Sequence, residues 1–306
     1  MTNKCIGDIL SLRLSACPKN QLEQKTFFYL AGLPRTGSTV LGEILSQNEH
    51  LHVSPASPLC EFIGDVIAKF RGGLSSLEAY QHPEQLANLW RAMRNGFYQH
   101  RPEPYIIDKS WVWHMNDPID SARKTLGEEM KVICTVDNIT DCLASFIMLI
   151  RSSPDYNSYI DNFLRSQNLP VTDENRCHAL MDPNIDTSVG WCYENLKKTF
   201  AGRNRANLLL LERKDLVKDP QQALDRIYQF LDCQELTDWR ERVGHHFDNI
   251  EKEISENDGA AYGIPNLHKL SPKLRGRNWD AREVLGKQLF FKYRRMEFWR
   301  PKQRGF

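Results

Sequence analysis

The segment of residues 27–45 constrains the fold of this chain more than any other. It reads FFYLAGLPRTGSTVLGEIL: an apolar run, then Gly32 and Gly37 separated by four residues, then apolar residues at helical spacing. A strand that turns through glycines into a helix surrounds an anion with backbone N–H groups and with the positive end of the helix dipole. The segment therefore predicts a phosphate-binding loop between a first strand and a first helix.

The rest of the chain alternates between strand-like and helix-like patterns. Such alternation predicts an α/β fold with a mainly parallel central sheet flanked by helices. A single domain over residues 26–306 is expected, after a polar lead-in at residues 1–25. Strands are predicted at 26–33, 50–54, 104–111, 130–137 and 207–213. Helices are predicted at 59–70, 83–98, 141–150 and 187–200, and in a segment with Asp219 as N-cap and Pro220 at its first position, whereas 155–183 is polar and predicted to be irregular.

Composition narrows the classes of function. The 306 residues carry a formal net charge of +1 without a basic block, which argues against a long nucleic acid as partner. The chain contains no run of about 18 apolar residues, so no membrane span is predicted. Eight cysteines are scattered without a C-x-x-C pair. This pattern predicts buried free thiols in a cytoplasmic protein and does not support a zinc site.

The loop differs from an ATP-binding Walker loop at one position. A Walker loop carries a lysine directly after its second glycine, followed by a serine or threonine that binds magnesium. Here Ser38 occupies the lysine position, Thr39 follows it, and the cation is Arg35, inside the loop. Two interpretations remain at this point: a cradle for a phosphate compound other than ATP with magnesium, or an ordinary strand–turn–helix joint without a ligand.

The sequence GLPRTGSTVL, residues 32–41, is similar to the 5′-phosphosulfate loop of sulfotransferases, whose usual form is G-x-P-R-[ST]-G-[ST]-[ST]-x-L. Every fixed position of that pattern is filled. Weaker similarity to bacterial family members related to tyrosylprotein sulfotransferases extends over about residues 26–290, in SQNEHLHVSPASPL, LLLLERKDLVKDPQQALDRIYQFL and GIPNLHKLSPKL. The resemblance implies a P-loop NTPase-like sulfotransferase fold, 3′-phosphoadenosine-5′-phosphosulfate (PAPS) as co-substrate, and no metal. The residues that it implies for the 5′-phosphosulfate are Gly32, Arg35, Thr36, Gly37, Ser38 and Thr39.

Two cations are predicted to act in the reaction. DKSW, residues 108–111, resembles the family's strand-end lysine, so Lys109 and Arg35 are implied to stabilise the charge that develops on the leaving phosphate. A transferring sulfuryl group carries less charge than a phosphoryl group, so a bridging magnesium is less necessary. For Lys109 the alternative is a solvated lysine at a strand end. Arg213 stands where relatives often have tyrosine, and no role is assigned to it.

The second half of the nucleotide site departs from the family. Relatives hold the 3′-phosphate with an arginine at a strand end and a serine eight residues later, and CTVDNITDCLASF, residues 134–146, is similar to that segment. Ser145 fills the serine position, but Asp137 stands at the arginine position. A carboxylate repels a phosphate, so either the donor is bound weakly or differs, or another cation takes over. The candidates for this cation are Arg151, Arg275 and Arg277.

The catalytic base is the least defined part of the predicted site. A sulfuryl acceptor loses a proton as it attacks, so a base is expected within hydrogen-bond reach. Tyrosylprotein sulfotransferases place a glutamate soon after the loop, whereas SPASPLCE, residues 54–61, has no carboxylate at the matching place. Glu61, on the helix that follows, is the predicted base, with Asp65, His52 and His114 as alternatives.

Together these features predict a sulfotransferase that acts on a hydroxyl or, less favourably, an amine. The acceptor could be a carbohydrate, a lipid, a peptide or a small metabolite, and neither it nor the oligomeric state follows from the sequence. Trp111 and Trp113 fit an acceptor pocket or the core equally well. One rival is a P-loop small-molecule kinase or NTPase, against which Ser38 weighs. The other is a non-catalytic nucleotide-binding protein on the same scaffold, which Asp137 and the missing glutamate favour.

Overall fold

A five-stranded sheet forms the centre of the protein. The computed structural model describes residues 25–71, 83–152, 158–248 and 273–300, together with residues 250 and 263. The strand order is β2-β3-β1-β4-β5, and every neighbouring pair is parallel. The strands are β1 (Thr26–Gly32), β2 (Leu51–Val53), β3 (Tyr105–Lys109), β4 (Val132–Val136) and β5 (Leu208–Glu212). The predicted parallel sheet is confirmed, and each predicted strand is present with small shifts at its ends.

Strand β1 lies in the middle of the sheet, and its register fixes where the loop lies. Leu30 pairs with Lys109 of β3, and Gly32 pairs with Thr135 of β4. Because all strands run in one direction, their carboxyl ends meet at one edge, which is where open α/β sheets bind ligands. The loop that follows β1 therefore lies between the ends of β3 and β4.

Helices cover the sheet, and every helix that the sequence patterns predict is present. Asp219 caps its helix as predicted, since its side chain accepts a hydrogen bond from the backbone N–H of Gln222 at 3.0 Å. The helices are α1 (Ser38–Leu45), α2 (Leu59–Arg71), α3 (Pro83–Phe97), α4 (Asn116–Leu126), α5 (Ile139–Arg151), α6 (Tyr159–Ser166), α7 (Asp173–Leu180), α8 (Val189–Ala201), α9 (Arg213–Lys218), α10 (Pro220–Leu231), α11 (Gln234–Arg242) and α12 (Ala281–Tyr293). Of these helices, α4, α6, α7, α9, α11 and α12 were not predicted. Short 3₁₀ segments occupy Trp111–His114 and Arg203–Asn207.

Two apolar cores lie on the two faces of the sheet. Alternate residues of β1 point into different cores: Tyr29 and Ala31 pack in one, Phe28 and Leu30 in the other. All five residues of β4 are buried, as expected for a parallel strand covered by helices on both faces. The loop edge of the sheet thus rests on a packed scaffold rather than on exposed strands.

The prediction of an irregular region at 155–183 is wrong for its described part, which contains α6 and α7. Each helix begins at a side-chain cap: Ser158 Oγ accepts from the N–H of Asp161 at 3.1 Å, and Thr172 Oγ1 accepts from that of Asn175 at 3.2 Å. Polar sequences of this length form helices only when tertiary packing supports them, and buried Ile160 and the other apolar residues supply that packing. Helices as short as these contain too few apolar residues to show a helical period in the sequence.

Several predictions concern residues outside the described part of the chain. The lead-in at 1–25 lies there except for Lys25, and so does most of the GIPNLHKLSPKL segment.

Within the described ranges, no helix is long and apolar enough to cross a membrane, and no group of three or more His, Cys, Asp or Glu side chains could hold a metal ion. The prediction of buried free thiols is confirmed at Cys60, Cys134, Cys142, Cys177 and Cys192.

Candidate nucleotide site

A cavity of about 610 Å³ opens at the carboxyl edge of the sheet. The loop after β1, the end of β3, α5 and the segment 273–279 contribute to its lining. Among the described lining residues there is no aspartate, glutamate or histidine. The basic residues of the lining are Arg35, Lys109, Arg213, Lys273, Arg275 and Arg277. The cavity is therefore strongly electropositive, and it suits an anionic ligand.

The loop presents the start of α1 to the cavity. Gly37 is the N-cap of α1 and has φ 92°, and no side chain caps the helix there. The first N–H groups of α1 therefore have no capping side chain and are available to an anion. Arg35 also has a positive φ, of 66°, which costs a non-glycine residue about 1 kcal/mol or more. Such strain is typical of functional loops, where surrounding contacts hold the backbone in place.

Two of the predicted loop residues support the loop and do not line the cavity. Thr36 is buried, and its Oγ1 donates to the carbonyl of Leu33 at 2.6 Å and lies 2.7 Å from Thr135 Oγ1. Gly32 has φ 119°, and a Cβ atom there would lie 2.2 Å from the carbonyl oxygen of Thr135. Both residues let the loop pack closely on β4. A bare sequence pattern cannot separate this packing role from contact with a ligand.

The cavity brings together residues that are far apart in the sequence. Arg35 Nε donates to Ser145 Oγ at 3.2 Å, which joins the loop to the serine predicted for the 3′-phosphate. Lys109 Nζ donates to Thr39 Oγ1 at 3.0 Å, which joins the end of β3 to the first turn of α1. These four residues line the cavity, as do Gly37 and Ser38.

Asp137 does not line the cavity but forms an ion pair with Arg277 behind its wall. Arg277 Nη1 also lies 3.4 Å from Asp141 Oδ2, and its Nη2 donates to the carbonyl of Arg35 at 3.2 Å. Burial raises the pKa of Asp137, and the Arg277 guanidinium opposes this shift. The carboxylate at the family's arginine position therefore holds an arginine that comes from a distant segment of the chain.

The three arginines predicted as replacement cations differ in their position relative to the cavity. Arg277 is placed by Asp137, and Arg275 lies beside it in the lining. Arg151 does not line the cavity, because it pairs with Asp173 on the surface, with its Nε 3.0 Å from the carboxylate. Sequence reasoning assigned no role to Arg213, yet Arg213 also lines the cavity. Its position directly after β5 is the signal that could have identified it, because the carboxyl ends of parallel strands share an edge.

None of the four candidate bases lines the cavity. Glu61 and Asp65 are exposed on α2, so the prediction that Glu61 is the base finds no support in this geometry. Burial lowers the pKa of His52 to about 4, and burial also lowers that of His114 to about 4. His114 lies behind the loop, where its Nδ1 accepts a hydrogen bond from the N–H of Gly32 at 3.4 Å.

The two tryptophans after β3 have different environments. Trp111 lines the cavity. Trp113 is buried in the core, where its Nε1 donates to Asp108 Oδ1 at 2.6 Å. Of these two tryptophans, only Trp111 is therefore placed to contact a ligand in the cavity.

Comparisons with known proteins bear on this site. A family model described as the sulfotransferase domain matches residues 25–255, and no match is found among curated proteins. One similar solved structure is a sulfotransferase domain from the curacin biosynthetic pathway, with 14% identity, 88% of this chain and 96% of that chain covered, and a TM-score of 0.45. Another is a sulfotransferase from Alicyclobacillus acidocaldarius, with 16% identity, coverages of 78% and 91%, and a TM-score of 0.41. A third is a mouse sulfotransferase complexed with PAP, with 15% identity, coverages of 88% and 81%, and a TM-score of 0.43.

The family model covers well over half of the chain. The matched region includes all five strands, the loop and Ser145. By this match the chain belongs to the sulfotransferase family.

Proposed function

We propose that a single domain over residues 26–306 binds PAPS and transfers its sulfuryl group to an acceptor hydroxyl. The observation that carries the proposal is the contact between Arg35 and Ser145, which joins the loop for a 5′-phosphosulfate to the serine for a 3′-phosphate. PAPS has an anionic group at each end of its ribose, and the electropositive lining can compensate both. The position of Ser38 favours this donor over ATP with magnesium, because the loop lacks the Walker lysine.

The expected reaction exchanges one S–O bond for another. The acceptor oxygen bonds to sulfur while the bond between sulfur and the 5′-phosphate oxygen breaks, and the leaving bisphosphate keeps the electron pair. Arg35, Lys109 and the first N–H groups of α1 stabilise the charge on that phosphate. The acceptor proton must leave as the bond forms, and because the described lining offers no carboxylate or imidazole, we expect water to receive it.

Calorimetry with three titrants tests the proposal against its rivals. At one salt concentration, adenosine 3′,5′-bisphosphate should bind more tightly than ATP with magnesium, and a buffer titration gives the baseline. Tighter binding of ATP with magnesium would support a kinase or NTPase instead. If neither nucleotide binds, the protein has the sulfotransferase scaffold but does not bind the donor. Release of the bisphosphate from PAPS in the presence of carbohydrate, lipid, peptide and small-metabolite acceptors would then identify the acceptor class.

Asp137 should strengthen nucleotide binding through Arg277. Asp137→Ala removes the main partner of Arg277, so the arginine loses its fixed position and we expect bisphosphate binding to weaken by about tenfold. Asp137→Arg should weaken it more, because two guanidinium groups would then face each other. The dissociation constants of both variants, measured by calorimetry, check this order.

Asp173→Ala is the matched control. Asp173 pairs with Arg151 and Arg176 away from the cavity, so its loss should leave the dissociation constant unchanged. Tighter binding by Asp137→Arg would contradict the expectation and would mean that Asp137 faces the phosphate directly.

A further inference from the structure

The acidic side of the cavity wall carries more negative than positive charge. Asp137 and Asp141 both lie at Arg277, and the Nδ2 of Asn138 donates to Asp141 Oδ2 at 2.7 Å. Two carboxylates therefore face one guanidinium. The other terminal nitrogen of Arg277 donates to the carbonyl of Arg35. A phosphate at Ser145 also meets Arg35, whose Nε donates to the serine, and a further cation on this side would offset the acidic pair.

Arg213 is placed to be that cation. It begins α9 directly after β5, the strand next to β4, and β4 ends one residue before Asp137. The side chain runs over the start of α1, since its Cδ and Nε lie 3.7 Å from the position that a Cβ atom on Gly37 would occupy. Its Nη2 donates to the carbonyl of Arg275 at 3.0 Å, and no carboxylate of the described residues lies within ion-pair distance.

The positive charge of the half-buried Arg213 is only partly balanced by nearby carboxylates. Burial and the neighbouring Arg277 guanidinium both lower its pKa, and the two carboxylates near Arg277 offset this only in part. A cation that is held partly away from water without a direct counterion becomes more stable when an anion binds to it. The planar guanidinium of arginine also matches the geometry of a phosphate, because it can donate two parallel hydrogen bonds.

The sheet order indicates which phosphate Arg213 would contact. Lys109 is the last residue of β3 and Arg213 directly follows β5, and the order β3-β1-β4-β5 separates these strands by three spacings. At ~4.8 Å for each spacing, the two strand ends are roughly 14 Å apart. The 5′-phosphosulfate is assigned to the loop and Lys109. The Arg213 side chain passes over Gly37 of the loop and ends at the carbonyl of Arg275, on the side away from Lys109, which is left for the other anionic end of the donor.

We infer that Arg213 binds the 3′-phosphate of the donor nucleotide, in place of the arginine that relatives carry at the position of Asp137. The inference rests on the proposed function, because it assigns one end of the same nucleotide. It makes Arg213 a residue that distinguishes a 3′,5′-bisphosphate from a 5′-monophosphate. The loop alone would hold both compounds by their common 5′ end.

Calorimetry with adenosine 3′,5′-bisphosphate and adenosine 5′-monophosphate tests the inference on wild type, Arg213→Gln and Arg213→Lys. We expect Arg213→Gln to bind the bisphosphate about 10- to 100-fold more weakly, the usual effect of a lost hydrogen bond to a charged group. The affinity for the monophosphate should change less than about twofold, and Arg213→Lys should fall between wild type and Arg213→Gln. The control is Arg226→Gln, because exposed Arg226 also donates its Nη2 to a backbone carbonyl, that of Leu210 at 3.1 Å, but lies outside the cavity lining.

The outcomes separate the inference from the proposed function. If wild type does not prefer the bisphosphate, the proposed function fails. If wild type prefers it and Arg213→Gln keeps the full preference, only the assignment of Arg213 fails. Equal weakening for both nucleotides would also overturn the assignment, since Arg213 would then act on the 5′ end or on the loop. Thermal unfolding of each variant shows whether it is folded, and Arg213→Lys keeps the test open if Arg213→Gln does not fold.

Discussion

Replacing Arg35 with alanine should slow sulfuryl transfer by about 100-fold, corresponding to ~3 kcal/mol of lost transition-state stabilisation. Binding of the nucleotide should weaken much less, because negative charge on the leaving phosphate grows as the S–O bond breaks and the contact strengthens with it. The turnover number with PAPS and the dissociation constant of the bisphosphate, measured separately, show how the loss divides between the two steps.

The control for this prediction is Arg226→Ala, which removes an exposed arginine outside the cavity lining and should leave both quantities unchanged. Arg35→Lys adds a second comparison, since lysine keeps the charge but cannot reproduce the planar guanidinium that donates to Ser145 through Nε. Equal losses in turnover and in binding would show that Arg35 only holds the nucleotide. Full activity of Arg35→Ala would rule out the assignment of the loop as the donor site.

Replacing Gly32 with alanine should lower the free energy of unfolding by about 3 kcal/mol or more, because two costs add. The new Cβ would lie 2.2 Å from the carbonyl oxygen and 2.5 Å from the amide nitrogen of Thr135, and both are backbone atoms of a buried strand. In addition, φ 119° is a conformation that residues with a side chain rarely adopt. Urea-induced unfolding of the variant measures the sum.

Gly127→Ala separates the two costs. Gly127 ends α4 with φ 69°, but a Cβ there would meet no atom within 4 Å. The control should therefore lose only the ~1 kcal/mol associated with the left-handed conformation. If Gly32→Ala proves no more destabilising than Gly127→Ala, β1 and β4 can move apart at the loop, and the close packing described for Gly32 is not required for stability.

The sequence was sufficient to predict the strands and their parallel arrangement, but not their order in the sheet, because the patterns that mark strands are local. β4 is a run of β-branched and apolar residues, and the loop is marked by two glycines at fixed spacing, so neither depends on a distant contact. That Arg35, Lys109 and Ser145 belong to one site followed only from the resemblance to sulfotransferases, and the contacts of Arg35 with Ser145 and of Lys109 with Thr39 are visible only in the structure.

The rest of the site depends on tertiary contacts that a pattern cannot contain. Asp137 and Arg277 are 140 residues apart, and nothing near Asp137 in the sequence identifies its partner. Glu61 is close to the loop in the sequence, but it lies on the exposed face of α2. No role for Arg213 followed from the sequence, because the resemblance implies tyrosine at this position and nothing for an arginine.

The ion pair of Asp137 with Arg277 constrains how this chain can evolve. The resemblance to sulfotransferases implies arginine at the position of Asp137, yet a single change to arginine here would bring two like charges together in a mostly buried position. Asp137 can therefore change to arginine without this repulsion only after Arg277 has been replaced. Replacing Arg277 first, however, leaves Asp137 without its main partner. Positions 137 and 277 should accordingly covary among close homologues, with opposite charges retained as a pair or both residues replaced together.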